Sequence, residues 1–148
     1  MTSHRYAWRT FIVAGIVAVA PAVWGVAELA PDSVSADAQP DYLVPPLGLS
    51  TMARTLITIG AAALAGAATV ALLRALSRRN LRREWVGVIV PLAAASAAAG
   101  LVYSVVTAPV IGANIGGGLA LMAGVPFAVA MVAVAGWRAV RARRVSTH

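Results

Sequence analysis

The sequence predicts an all-α membrane protein with four transmembrane helices, and three observations predict it. The chain has 148 residues, of which 60% are hydrophobic and only 11% are charged, whereas a soluble domain carries about 25% charged residues. The mean hydropathy is +0.82. Four apolar stretches each approach the roughly 20 residues that a helix needs to cross a bilayer core of about 30 Å. Nothing is left over for a soluble domain, so we predict one four-helix domain over residues 1–148.

The four helices are predicted, to within a few residues, from these apolar stretches taken in chain order. They cover residues 11–30, 52–73, 85–106 and 116–137. A proline-rich loop of residues 31–50 joins the first two helices, a basic loop joins the middle two, and a short turn around Pro109 joins the last two. Proline also lies inside three helices, at Pro21, Pro91 and Pro126. We expect kinks there, because neighbouring helices or local adjustments satisfy the carbonyls that such prolines free.

The arginines predict that both termini are cytoplasmic. All twelve basic residues are arginine: two lie in the head, five in the second loop and four in the tail, and Arg54 is the exception. Positively charged residues are retained on the cytoplasmic side of a membrane. The acidic residues at or in the loop 31–50 agree with an outer location for that loop; they are Glu28, Asp32, Asp37 and Asp41. The sequence therefore predicts a multi-pass protein of the plasma (inner) membrane.

Aromatic residues predict the same orientation. Trp8, Trp85 and Trp137 lie at the predicted inner interface, and Trp24 and Tyr103 lie towards the outer one. Tryptophan and tyrosine are enriched at both membrane–water interfaces, where their rings lie at head-group level. The placement of the charges and that of the aromatic residues thus predict the same orientation in the membrane.

The start of the chain has a second interpretation as a signal peptide. A positively charged head precedes the first apolar run, and Val34-Ser35-Ala36 has the small residues of a signal-peptidase site. Cleavage there would leave three helices in the same orientation. The apolar run is about 20 residues long, whereas the apolar region of a signal peptide has roughly 7–15 residues, so its length favours an uncleaved first helix.

The arginine-rich inner segments predict contact with the membrane surface. They hold the helical hairpins in the right orientation, and they are expected to bind anionic lipid head groups at about 1 kcal/mol per arginine near the surface. A formal net charge of +7 would suggest nucleic acid in a soluble protein. Because the arginines flank the ends of membrane helices, we expect no nucleic-acid binding.

Glu28 and Arg54 are the charged residues within the predicted spans, and we expect them to form a structural ion pair. At 1.5 Å per residue, both lie only about 3 Å inside the outer boundary, at matching depth on consecutive helices. The alternative is a proton or cation site, which an intramembrane carboxylate suggests by default. Small multidrug exporters also have four helices and a glutamate in the first, but near the membrane centre, where Glu28 does not lie.

Small residues recur every four positions down the fourth helix and predict a close helix contact. The row comprises Gly112, Gly116, Ala120, Gly124 and Ala128. Such a row makes one slanted, flat stripe, and small-xxx-small faces let two backbones approach closely. We expect this stripe to be the tightest helix contact, within the chain or between copies. The second helix has a weaker row of Ala63, Ala67, Ala71 and Ala75.

Several chemistries lack the residues that they need. The chain has no cysteine, and its histidines are His4 and His148. A membrane haem needs axial ligands, usually histidine, and serine catalysis needs a nearby base. A metal site or a pair of catalytic carboxylates needs clustered acids. We therefore predict no enzyme activity, no cofactor and no metal site. The hydroxyls within the helices, at Thr58, Thr69, Ser96 and Ser104, are expected to bond within their own helix or across to another.

The region from Ala71 to Ala130 is similar in pattern to a known kind of membrane protein. It contains Leu72-Leu73-Arg74-Ala75-Leu76 before the basic loop, Trp85 at the entry to the third helix, and Leu119 to Met122 in the fourth. With its lysine-free, Ala/Val/Gly-rich composition, the chain resembles small uncharacterised four-helix integral membrane proteins of actinobacteria. The resemblance covers helices two to four and implies the fold, and it implies no activity.

The function predicted from the sequence is that of a non-catalytic accessory or scaffold subunit. Its expected partners are the lipid bilayer and a membrane protein or further copies of the chain. The alternative is a small oligomeric transporter or channel. A transporter needs a polar or ionisable residue at mid-membrane depth, and the sequence offers only hydroxyls and small residues there.

Overall fold

The computed structural model describes residues 3–28, 42–78, 83–109 and 115–144, and within these ranges the protein is all-helical. Its four helices are α1 (Ser3–Ala27), α2 (Thr51–Ser77), α3 (Arg83–Val106) and α4 (Ile115–Arg144). The predicted all-α fold with four helices is therefore confirmed. Three predictions concern residues outside these ranges, namely the acidic residues of the loop, the candidate cleavage site Val34-Ser35-Ala36, and Gly112.

The helices are longer than the apolar stretches, and they are longer mainly at the ends that carry arginine. α1 begins at Ser3, eight residues before the predicted start, and α4 continues to Arg144, seven residues past the predicted end. α2 continues past residue 73 to Ser77. Arginine is a good helix former, and a cation in the last turn of a helix interacts favourably with the helix dipole. Both effects favour the extension of α2 and α4 at their C-terminal ends, whereas at the start of α1 only the helix propensity does, because a cation there interacts unfavourably with the dipole.

Three of these helices are long and apolar enough to cross a membrane, over Thr51–Ser77, Glu84–Val106 and Ile115–Ala142. The apolar part of α1, Phe11–Ala27, is shorter. The whole of α1 has 25 residues, which corresponds to about 38 Å at 1.5 Å per residue. Length and composition thus indicate a membrane protein.

The helices lie side by side in the order α2, α1, α3, α4. α1 packs against both α2 and α3, and α3 packs against both α1 and α4. Among the described residues, α2 and α4 each have one main neighbour, so they form the two edges of the row. α3 is more enclosed than α2 or α4.

Contacts between helices give their directions. α1 and α2 are antiparallel, because Gly15 faces Ala68 while Gly25 faces Thr58. α1 and α3 are parallel, because Ala20 contacts Ser96 and, one turn later, Trp24 contacts Tyr103. The α3–α4 pair is antiparallel again: Gly87 lies beside Arg138, and Val102 lies beside Gly124. The start of α1 and the end of α4 therefore lie at the same end of the row, which we call the basic end.

At the opposite end of the row, residues 42–50 form an extended segment that leads into α2 and is hydrogen-bonded to the end of α3. The Val44 N–H donates to the carbonyl of Val106, the last residue of α3, at 3.2 Å. Further along, the Ser50 hydroxyl accepts a hydrogen bond from the Ala53 N–H at 3.2 Å and caps the start of α2. Both bonds satisfy backbone groups that a helix end leaves unpaired. The segment thus ties these two helix ends together.

Candidate functional site

The charged pair of the spans lies between α1 and α2, at the end of the row opposite the basic end. Arg54 Nη1 donates to Glu28 Oε2 at 3.2 Å. The structure therefore brings together the two residues for which the sequence predicts an ion pair.

Local helix geometry sets the level of both residues along the row. The Glu28 N–H bonds to the Trp24 carbonyl at 3.0 Å. α1 ends at Ala27, three residues before the predicted end, so Glu28 follows the helix and does not lie within it as predicted. The Arg54 N–H bonds to the Ser50 carbonyl at 3.0 Å, which places Arg54 in the first turn of α2. Because the two helices are antiparallel, the end of α1 and the start of α2 lie at one level. The side chains meet there.

The pair is partly accessible and incompletely satisfied. The Glu28 side chain is 28% exposed and the Arg54 side chain is 39% exposed. Arg54 Nε is buried and has no acceptor among the described residues. A guanidinium carries five N–H donors, and an ionised carboxylate can accept several hydrogen bonds. Among the described residues, one 3.2 Å contact therefore uses only a small part of the hydrogen-bonding capacity of both groups.

A pocket of about 290 Å³ surrounds this ion pair. Its lining comes from both helices and comprises Trp24, Gly25, Glu28, Thr51, Arg54, Thr55, Thr58 and Ile59. The volume is close to the lower limit of about 300 Å³ for small-molecule pockets. We call this space the outer pocket, after the orientation that the sequence predicts.

The outer pocket has a closed inner end and a rigid wall. A methyl group added at Gly25 would overlap the Thr58 side chain, so α1 and α2 touch one turn further in. Trp24 forms the wall and is 8% exposed. Its ring meets the Tyr103 ring of α3 edge to face, with centroids 5.8 Å apart and planes at 75°. This aromatic pair holds Trp24 in place against the ion pair.

The small-residue row of α4 lies partly on the surface that faces α3. Gly124 faces Val102, because an added methyl group would overlap the valine side chain. Ala120 and Ala128 are half-buried on the same side, whereas Gly116 is exposed, and an added methyl group there would lie 4.0 Å from Val105. Ala128 also lines an open apolar groove between α3 and α4.

The four hydroxyl residues bond as the sequence predicts. Thr58, Thr69 and Ser104 donate to carbonyls of their own helices, at Arg54, Ala65 and Leu101, over 2.8–2.9 Å. Ser96 instead accepts the Ala20 N–H of α1 at 3.1 Å. Three of these hydroxyls thus bond within their own helix, and only that of Ser96 joins two helices.

The close crossing of α1 and α3 is the feature that sequence reasoning missed. A methyl group added at Gly100 would overlap the carbonyl oxygen of Ala20, and Ser96 contacts the same residue. Ser96 and Gly100 are four positions apart, so they share one helix face. The small-xxx-small spacing was present in the sequence, but alanine-rich helices contain many such pairs and only the partner residue distinguishes this one.

At the basic end, described arginines lie on the last turns of α2 and α4. Arg74, Arg138 and Arg141 are exposed. The Arg141 guanidinium lies over the Trp137 ring, 4.3 Å from its centroid. A cation stacked on an aromatic face is attracted by the ring quadrupole, so Trp137 orients one of these charges at the end of α4.

Within the described ranges, no group of three histidine, cysteine, aspartate or glutamate residues lies close enough together to hold a metal ion. Comparison with known proteins adds no assignment: no family model matches the chain, and no curated protein and no solved structure matches it. What the chain does must therefore be inferred from its own residues and their arrangement.

Proposed function

We propose that the chain is a non-catalytic accessory or scaffold subunit of a membrane assembly. The observation that carries this proposal is the row of helices, in which α2 and α4 each have one main neighbour among the described residues. Each edge helix presents a long apolar face away from the row, with Leu73 60% and Met122 78% exposed. Such faces are suited to packing against helices of another membrane chain.

The position of the charges in the spans supports a structural role over transport. Glu28 and Arg54 lie at one end of the row, and they are paired with each other. A transporter places ionisable residues along a pathway through the membrane. Further from the helix ends, the hydroxyls of Thr69 in α2 and of Ser96 and Ser104 in α3 are each hydrogen-bonded to backbone.

The proposed orientation has both termini in the cytoplasm, with the chain crossing the plasma (inner) membrane. It is supported by the arginines at the basic end, since basic segments are retained inside. In this orientation the same arginines would contact anionic head groups of the inner leaflet. The outer pocket would then lie at the level of the outer-leaflet head groups.

Photocrosslinking in living cells tests the scaffold proposal. A photoreactive phenylalanine analogue is placed at Gly66 on α2 or at Met122 on α4, both on exposed faces. The matched control is Val90, which is 56% exposed but lies on the inner helix α3. We expect a discrete adduct with a different membrane protein from an edge position and none from Val90.

Two outcomes would contradict the proposal. If neither edge helix gave an adduct, both would be in contact with lipid only. An adduct only with a second 15.1 kDa copy, together with ion or solute flux through proteoliposomes of the purified protein, would favour the oligomeric transporter instead.

A further inference from the structure

The outer pocket combines one anionic and one cationic side chain with a set of hydrogen-bond acceptors. The Thr55 hydroxyl donates to the Thr51 carbonyl at 3.0 Å, and the Thr58 hydroxyl donates to the Arg54 carbonyl at 2.9 Å. With their hydrogens used in this way, both hydroxyls present only lone pairs to the pocket. Together with the Glu28 carboxylate, these hydroxyl oxygens form one side of the pocket, which suits a cation that carries several N–H donors.

Arg54 supplies the complementary side. Its guanidinium makes one hydrogen bond, to Glu28, and its Nε has no acceptor among the described residues. Guanidinium groups match the oxygens of phosphate with two parallel N–H donors. A ligand with both an ammonium and a phosphate group would therefore engage each member of the pair with its opposite charge.

The location of the outer pocket selects a lipid over a free metabolite. Arg54 is three residues into α2, which is about 4.5 Å along the helix axis. The lining continues to Ile59, which is 62% exposed on the apolar flank of α2. A head group at the level of Arg54 would thus have its acyl chains running down an apolar surface. The contact of Gly25 with Thr58 closes the pocket below the head group.

We propose that the outer pocket binds a phospholipid head group of the ethanolamine phosphate type. The primary ammonium donates to Glu28 and the threonine oxygens, and the phosphate accepts from Arg54. A choline head group lacks N–H donors for the carboxylate. A glycerol phosphate head group carries no cation to balance Glu28. This assignment goes beyond a scaffold role, because it gives the chain a preference among bilayer lipids at the end opposite the basic end.

The test uses Trp24, which lines the outer pocket, as the reporter. Trp8, Trp85 and Trp137 are replaced by phenylalanine in the full-length chain. The purified protein in detergent is titrated with short-chain phosphatidylethanolamine, and the Trp24 fluorescence is followed. Matched titrations use phosphatidylcholine and phosphatidylglycerol of the same chain length. We expect the ethanolamine lipid to bind at least about tenfold more tightly than either.

Variants separate binding in the pocket from general detergent effects. Glu28→Gln should remove the preference for ethanolamine, and Arg54→Gln should weaken binding of all three lipids. Thr55→Phe fills the pocket without removing either charge, and it should weaken ethanolamine-lipid binding by about tenfold. Its control is Thr69→Phe, because Thr69 is an exposed threonine of the same helix with the same bond to the carbonyl four residues earlier.

Three outcomes would overturn the proposal. Equal affinities for the three lipids would show that the head group is not recognised. Equal binding by the Thr55→Phe and Thr69→Phe variants would place the lipid elsewhere. Free phosphoethanolamine binding as tightly as the lipid would identify a soluble ligand and not a lipid. Because Thr55→Phe leaves the ion pair intact, the test holds even if the charge variants fail to fold.

Discussion

Gly100 of α3 lies directly against the backbone of Ala20 in α1. A methyl group added at Gly100 would overlap the Ala20 carbonyl oxygen and lie 3.0 Å from its Cα atom. One turn earlier, Ser96 accepts the Ala20 N–H at 3.1 Å. Backbone contact and hydrogen bond therefore meet at one residue, next to the proline at position 21 that interrupts the bonding of α1.

Gly100→Ala should destabilise the protein, because the helices must move apart to admit the methyl group. Overpacking of this kind costs about 1–3 kcal/mol. The measurement is thermal unfolding in detergent, followed by circular dichroism. Gly66→Ala is the control, since a methyl group there meets nothing within 4 Å, and alanine is the better helix former. Equal melting temperatures for the two variants would mean that α1 and α3 do not cross at Gly100.

The contrast between this crossing and the row on α4 shows what the sequence could predict. Hydropathy locates the helices, because each must be apolar over the width of a bilayer. Small residues are so frequent in these helices that their spacing alone cannot identify which pairs meet. Gly124 and Gly100 both have small neighbours four positions away, and only the packing partner shows that Gly100 contacts backbone while Gly124 contacts a side chain.

The Glu28–Arg54 pair should show coupling in a double-mutant cycle. Glu28→Gln and Arg54→Gln each leave the other charge poorly paired, so the double variant should lose less stability than the two singles summed. For partly exposed side chains, the difference is expected to be about 0.5–1 kcal/mol. Thermal unfolding in detergent gives the four values.

A second cycle provides the matched control for that pair. Arg74 lies at the other end of α2, so Glu28→Gln and Arg74→Gln should be additive within about 0.5 kcal/mol. Strict additivity in the Glu28–Arg54 cycle as well would show that these two side chains do not interact.

Substitutions along the α4 row should differ in how much they destabilise the α3–α4 contact. Gly124→Leu should destabilise the α3–α4 contact strongly, because even a methyl group overlaps Val102. Gly116→Leu should have a smaller effect, since the nearest side-chain atom lies 4.0 Å from an added methyl group. Leu119→Ala should have little effect, because Leu119 is 62% exposed. If Gly124→Leu kept the melting temperature and oligomer size of the natural chain, the row would be a by-product of composition.

The proposed topology is tested with single cysteines, which the natural chain lacks. Leu43 is 45% exposed in the segment 42–50, and it would remain in the chain even after cleavage near Ser35. Ser77 ends α2 at the basic end. A membrane-impermeant thiol reagent should label Leu43→Cys in intact cells and Ser77→Cys only after permeabilisation. The reverse pattern would invert the orientation.

The ends of the helices were harder to predict than their existence. A hydropathy pattern reports the apolar part of a helix and not its hydrogen bonding. The first eight residues of α1 and the last seven of α4 form two segments that contain arginines, and both segments continue the helix. The meeting of Glu28 with Arg54 could be predicted, because charges are scarce in the apolar stretches. The pocket around them could not, since it depends on how far apart α1 and α2 stand.

The order of the helices in the row makes the chain a pair of hairpins, α1–α2 and α3–α4, joined along one seam. That seam is built where α1 meets α3, and the Val44–Val106 hydrogen bond crosses it at one end. During synthesis, the first hairpin leaves the ribosome before the second, and the two then need only to associate laterally. A gene split between α2 and α3 should accordingly yield two fragments that recombine in the membrane, each already folded as a hairpin.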